Sequence, residues 1–81
     1  MYCIVEITKY PLSSDYEEPI KEFIQRLQSH EGIDITTGET STVVRGDYDL
    51  VMSLLKDEMK NSFKSGIRIA FVLKILNTEG S

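Results

Sequence analysis

Four hydroxyl side chains, Thr37, Thr40, Ser41 and Thr42, fall within six residues of this chain, and Val43-Val44-Arg45-Gly46-Asp47-Tyr48 follows them directly. Hydroxyls both donate and accept hydrogen bonds, so such a run can meet a small polar ligand. It could equally be the solvated threonine face of an edge hairpin, which threonine's β-propensity permits. Glu6 is the odd residue of an alternating segment: it could accept from a ligand's amino group, or pair across a sheet with Arg68 or Lys74. Tyr10 could stack on a flat ring or pack on its strand neighbour, and Tyr48 could stack or cover the start of a helix. Glu39 and Asp47 are weaker candidates, and Asp47 reads better as a helix cap. Groups for covalent chemistry are sparse. Cys3 falls on an apolar strand face and reads as a small buried hydrophobe. His30, the one histidine, belongs at the solvated end of a helix, where the dipole favours its charged form. One cysteine and one histidine can form neither an internal disulfide nor a Cys/His metal cluster. The residues offer no catalytic set, and neither a metal nor a cofactor is expected.

The elements that would hold these groups follow from periodicity. Tyr2–Tyr10 alternates, with Cys3, Val5 and Ile7 on one side and Tyr2, Ile4, Glu6, Thr8 and Tyr10 on the other. Pro11 ends that strand. Ser14-Asp15-Tyr16-Glu17 has capping-box spacing. Tyr16, Ile20, Phe23, Ile24 and Leu27 then repeat at helical spacing for about four turns, and Gly32 stands where a helix stop is expected. Gly38 can supply the positive φ of a tight hairpin joining strands at Ile33–Thr37 and Thr40–Arg45. Asp47 caps a second helix, with Leu50, Val51, Leu54, Leu55 and Met59 as its apolar stripe to about Asn61. Ser65-Gly66 marks a turn, and Ile67–Ile75 is the last strand, with Ile67, Ile69, Phe71, Leu73 and Ile75 facing one way and Arg68, Ala70, Val72 and Lys74 the other.

The order β-α-β-β-α-β predicts an α+β, ferredoxin-like sandwich: a four-stranded antiparallel sheet with two helices on one face. The second face would carry Tyr2, Ile4, Ala70 and Val72, with Glu6, Thr8, Tyr10, Arg68 and Lys74 among them. Whether Ser41 and Val43 or Thr42 and Val44 join it is a matter of register, which alternation alone leaves open. A face this apolar, with polar residues at its border, predicts a self-association surface partly covered by a second copy.

Composition narrows the classes further. Eighty-one residues make one domain, expected over residues 1–77, with 78–81 a frayed tail. A net charge of -4, with nine scattered basic residues, argues against nucleic acid. No apolar run reaches membrane-spanning length and no signal pattern opens the chain, so no membrane partner is expected and the cytoplasm is the default.

Three segments carry a resemblance: Val5-Glu6-Ile7-Thr8-Lys9-Tyr10-Pro11-Leu12, Pro19-Ile20-Lys21-Glu22-Phe23-Ile24, and Thr40-Ser41-Thr42-Val43-Val44-Arg45-Gly46-Asp47-Tyr48-Asp49 leading into Val51-Met52. In this order and spacing the chain resembles the small thiamine-binding proteins, which bind thiamine or its hydroxymethylpyrimidine part. The resemblance implies a ferredoxin-like fold assembled into dimers or tetramers, and ligand binding in thiamine uptake or salvage. It makes Ser41 and Thr42 the leading hydroxyl candidates, with Glu6, Tyr10 and Tyr48 beside them. An aminopyrimidine offers an amino donor and ring-nitrogen acceptors, which hydroxyls and a carboxylate can meet. The thiazolium of thiamine is a permanent cation, which an acidic site and an aromatic face favour. The alternative is a ligand-free oligomerisation or regulatory module of the same fold.

Overall fold

A computed structural model describes residues 1–12, 25 and 31–78. The expected first helix, Tyr16–Leu27 with its Ser14 cap, and His30 lie outside the described residues, apart from the helical Gln25. The elements are β1 (Tyr2–Pro11), β2 (Ile33–Thr37), β3 (Thr42–Asp47), α1 (Tyr48–Phe63) and β4 (Ile69–Asn77). The strands form one sheet in the order β2-β3-β1-β4, with every neighbouring pair antiparallel. This is the strand order of a ferredoxin-like sheet, here with one helix among the described residues. β1 runs one residue further than expected and takes in Pro11. Its missing N–H falls on the β3 side, where the ladder has already stopped at Ile7↔Thr42, so no sheet hydrogen bond is lost.

Register decides which side chains share a face. Val5 pairs with Val44 and Ile75, and Cys3 with Gly46 and Asn77. Ile35 lies opposite Val44 on the other side. The buried side chains Cys3, Val5, Ile7 and Val44 meet Val51, Leu54 and Leu55 of α1, and Ile33, Ile35, Met59, Phe71 and Leu73 pack around them. The apolar stripe of α1 is therefore the one its spacing predicts, except that Leu50 lies at its border, 44% exposed. The helix also buries two polar groups that alternation does not reveal, Glu58 and Ser62. The Ser62 hydroxyl accepts from Lys9 Nζ at 3.2 Å, and the same ammonium lies 5.9 Å from the centre of the Phe71 ring.

Asp47 caps α1 as expected: its carboxylate accepts from Leu50 N at 3.3 Å, and its Oδ1 also lies 3.4 Å from the N-terminal ammonium. Asp47→Ala is expected to destabilise the fold by about 1 kcal/mol, the usual worth of such a cap, read as a lower urea midpoint at unchanged slope.

The hairpin differs from expectation in its turn. Positive φ occurs at Gly32 (80°) and Gly66 (86°), at the expected helix stop and the expected turn, and not at Gly38. Residues 38–41 make a four-residue connection in which Gly38 N donates to Ser41 O at 2.8 Å. Loops of this length are built around ordinary right-handed turns, so no left-handed residue is required. The longer connection also starts β3 at Thr42 rather than Thr40. Gly46 serves a packing purpose instead: a Cβ there would lie 3.2 Å from the Gly32 carbonyl oxygen and 3.2 Å from Val51 Cγ2. Because one of those neighbours is backbone, Gly46→Ala is expected to cost about 1–3 kcal/mol, measurable by thermal or urea denaturation.

Candidate functional site

The face of the sheet away from α1 is built in rows. One row is Asp34, Arg45, Ile4 and Leu76, and the next is Thr36, Val43, Glu6 and Lys74. Thr8 with Val72, then Tyr10 with Ala70, continue it. The register question is thereby answered: Val43 faces out, and Val44 belongs to the core. Ser41 precedes β3 by one residue and is half-buried; strand alternation carried one step past the Ile7↔Thr42 pair sets it on the side of Val43, next to Thr8.

Of the five residues singled out in the sequence, this face holds three: Glu6, Ser41 and Tyr10. Thr42 points to the opposite side, where it is 7% exposed among the core residues. Tyr48 is the first residue of α1, and its N–H donates to Met1 O at 2.7 Å. That places it beside the start of β1 while Tyr10 stands near its end, roughly 30 Å away at strand rise. One small ligand within one subunit cannot touch both tyrosines.

Glu6 is the only carboxylate on β1, centred on this face. Its partner is Lys74, directly opposite, with Nζ to Oε1 at 3.8 Å, and not Arg68, which stands across from Leu12. Both side chains are well exposed (46% and 79%), so the pair contributes at most about 1 kcal/mol and leaves the carboxylate open to other donors. Around it stand Ile4, Thr8 and Val43, all half-buried, and the exposed Val72. Arg45 is occupied nearby, its Nη1 donating to Thr36 Oγ1 at 3.4 Å. Two neighbouring hydroxyls (Thr8 and Ser41) and the aliphatic side chains Ile4, Val43 and Val72 thus lie within about 7 Å, one two-residue strand repeat, of Glu6. Thr8 was the hydroxyl that sequence reading passed over as a site residue. Its period-2 relation to Glu6 was the available signal.

Other chemistry has little support among the described residues. No group of three or more His, Cys, Asp or Glu side chains could hold a metal there. The Cys3 thiol is 1% exposed. Burial, with a smaller contribution from Asp47, raises its pKa against the opposing effect of the N-terminal ammonium. It stays protonated and unreactive near neutral pH. No described helix is long and apolar enough to cross a membrane.

Known structures share this architecture. A Thermotoga maritima protein, provisionally named for thiamine biosynthesis or salvage, superposes with a TM-score of 0.84 over 96% of this chain and 85% of its own, at 22% identity. A Streptococcus pneumoniae protein gives 0.86 over 98% and 89%, also at 22% identity. A hypothetical protein of Methanocaldococcus jannascii gives 0.84 over 99% and 84%, at 20% identity. The likeness is one of fold. No family model and no curated protein matches the sequence.

Proposed function

We propose that this chain binds thiamine or its hydroxymethylpyrimidine moiety on the open sheet face, without turning it over, as part of thiamine uptake or salvage. The observation that carries the reading is Glu6: a half-exposed carboxylate near the centre of a face on which aliphatic and hydroxyl side chains, Ile4, Thr8, Val43 and Val72, stand beside Arg45 and Lys74. Its oxygens accept from the exocyclic amino group. Ser41 and Thr8 meet ring nitrogens, and Val43 and Val72 flank the ring. Tyr10, roughly 13 Å along the strand from Glu6, borders the site and reaches only a ligand as extended as thiamine itself. Thr42 and Tyr48 take structural positions in this reading. A second copy covers the face, so that the working form is a homodimer or homotetramer. The provisional naming of the Thermotoga maritima protein supports the same ligand class, and so do the sequence segments that carry the resemblance.

Thermal denaturation tests this reading. A ligand bound only by the native state at a hundred times its dissociation constant stabilises by about 2.7 kcal/mol. For a domain of this size that raises Tm by roughly 10 °C or more. Hydroxymethylpyrimidine and thiamine are each expected to produce such a shift, and adenine is expected to produce a smaller one. Unchanged melting with both ligands at millimolar concentration would favour the ligand-free assembly module. The exposed aliphatic residues Val72 (59%) and Leu76 (57%) on the same face speak for that second reading.

A further inference from the structure

On the open face, the row next to Glu6 holds a guanidinium that no carboxylate among the described residues neutralises. Arg45 of β3 pairs with Ile4 on one side and Asp34 on the other, one two-residue step from Val43, the cross-strand partner of Glu6. Its side chain is half-buried. Although Asp34 stands directly opposite, the guanidinium turns instead to Thr36, with Nη1 to Oγ1 at 3.4 Å. A neutral acceptor at that distance is weak and uses one of five N–H donors. The rest of the fork has the geometry for a pair of phosphate or carboxylate oxygens. Glu6 therefore has different neighbours in its two directions along the strands: the hydroxyls of Thr8 and Ser41 one way, and the row of Ile4 and Arg45 the other. Lys74, its ammonium 79% exposed, adds a second cation across the sheet from Glu6.

We propose that Arg45 selects the ligand by the charge of the group beside its amino function, so that the site prefers the phosphate monoester of hydroxymethylpyrimidine to thiamine. This inference rests on the ligand class and the face proposed above. In the pyrimidine the exocyclic amino group sits between ring nitrogen N3 and the carbon that carries the methylene. A ring that gives its amino group to Glu6 and turns N3 to Ser41 and Thr8 aims that methylene the opposite way, toward Ile4 and Arg45. Glu6 and Arg45 are diagonal neighbours on the face, with Cα atoms about 7–8 Å apart. A phosphoryl group on the methylene thus comes within reach of the guanidinium, which exchanges the long Thr36 bond for a charge-assisted, bidentate one. Arg45 and Lys74, one on each side of Glu6, offset the repulsion between the phosphate and the carboxylate. Thiamine carries its cationic thiazolium on the same methylene. Beside Arg45 the two cations repel. Turning the ring end for end sends the thiazolium toward Tyr10, but takes N3 away from Ser41 and Thr8. Either pose loses a contact that the phosphate ester keeps.

Titration calorimetry with hydroxymethylpyrimidine, its phosphate, thiamine and thiamine monophosphate separates this preference from binding itself. The wild type is expected to bind the pyrimidine phosphate about tenfold or more tighter than the alcohol, and tighter than thiamine. Thiamine monophosphate, whose phosphoryl group lies beyond the thiazolium, is expected to gain little over thiamine. R45Q is expected to bring the ratio between pyrimidine phosphate and alcohol close to one. R45K, which keeps the charge without the fork, should fall between R45Q and the wild type. Circular dichroism establishes that each variant is folded, and the wild-type ratio decides alone where one is not. Equal wild-type affinity for the two pyrimidines would overturn the inference and leave the proposed ligand class standing. So would an equal gain from thiamine monophosphate, or a folded R45Q that keeps the wild-type ratio. Binding of none of the four ligands would overturn the ligand class and this inference with it.

Discussion

Leu55→Ala is expected to destabilise the protein by about 2–5 kcal/mol, the range for removing a large buried aliphatic side chain. Leu55 is fully buried on α1 and belongs, among the described residues, to the buried cluster that α1 shares with β1 and β3. A domain of this size has roughly 5 kcal/mol to spare, so the variant should keep only about 0–3 kcal/mol of it and melt well below the wild type. A urea melt at 25 °C followed by circular dichroism measures the loss. A change under 1 kcal/mol would mean that α1 does not carry the core as described.

The second large effect concerns binding. Replacing Glu6 by Gln keeps the shape of the side chain and removes its charge. Hydrogen bonds to charged groups contribute about 1.5–3 kcal/mol, so E6Q should bind hydroxymethylpyrimidine about ten- to a hundredfold more weakly. Stability should stay within about 1 kcal/mol of the wild type, because the Lys74 partner is 79% exposed and its pairing with Glu6 is screened by water. A binding loss without a stability loss distinguishes a ligand contact from a structural ion pair. A loss of both would assign Glu6 to the sheet alone.

The strands were legible wherever alternation is strict. Cys3, Val5 and Ile7 against Ile4, Glu6 and Thr8 already separates the two faces of β1, and β4 divides the same way. The stripe of α1 and its Asp47 cap were equally readable, since helical spacing and capping are local properties. The hairpin was harder. Thr40, Ser41, Thr42, Val43 and Val44 are all acceptable on either side of a strand, so their composition fixes no parity. Parity came from the connection at residues 38–41 and from pairing with β1, both of which depend on the whole sheet. That is why Thr42, adjacent to Ser41 in sequence, stands in the core while Ser41 sides with Glu6. The separation of Tyr10 from Tyr48 had the same origin, because each belongs to a different end of β1. The Lys9–Ser62 bond joins residues 53 positions apart and leaves no periodic trace.

Titration calorimetry of hydroxymethylpyrimidine into the folded wild-type protein and into E6Q tests the central claim most directly. The account predicts saturable heat from the wild type and an affinity ten- to a hundredfold lower for the variant. Absence of saturable heat from the wild type at millimolar ligand, or equal affinities for the two proteins, would contradict it.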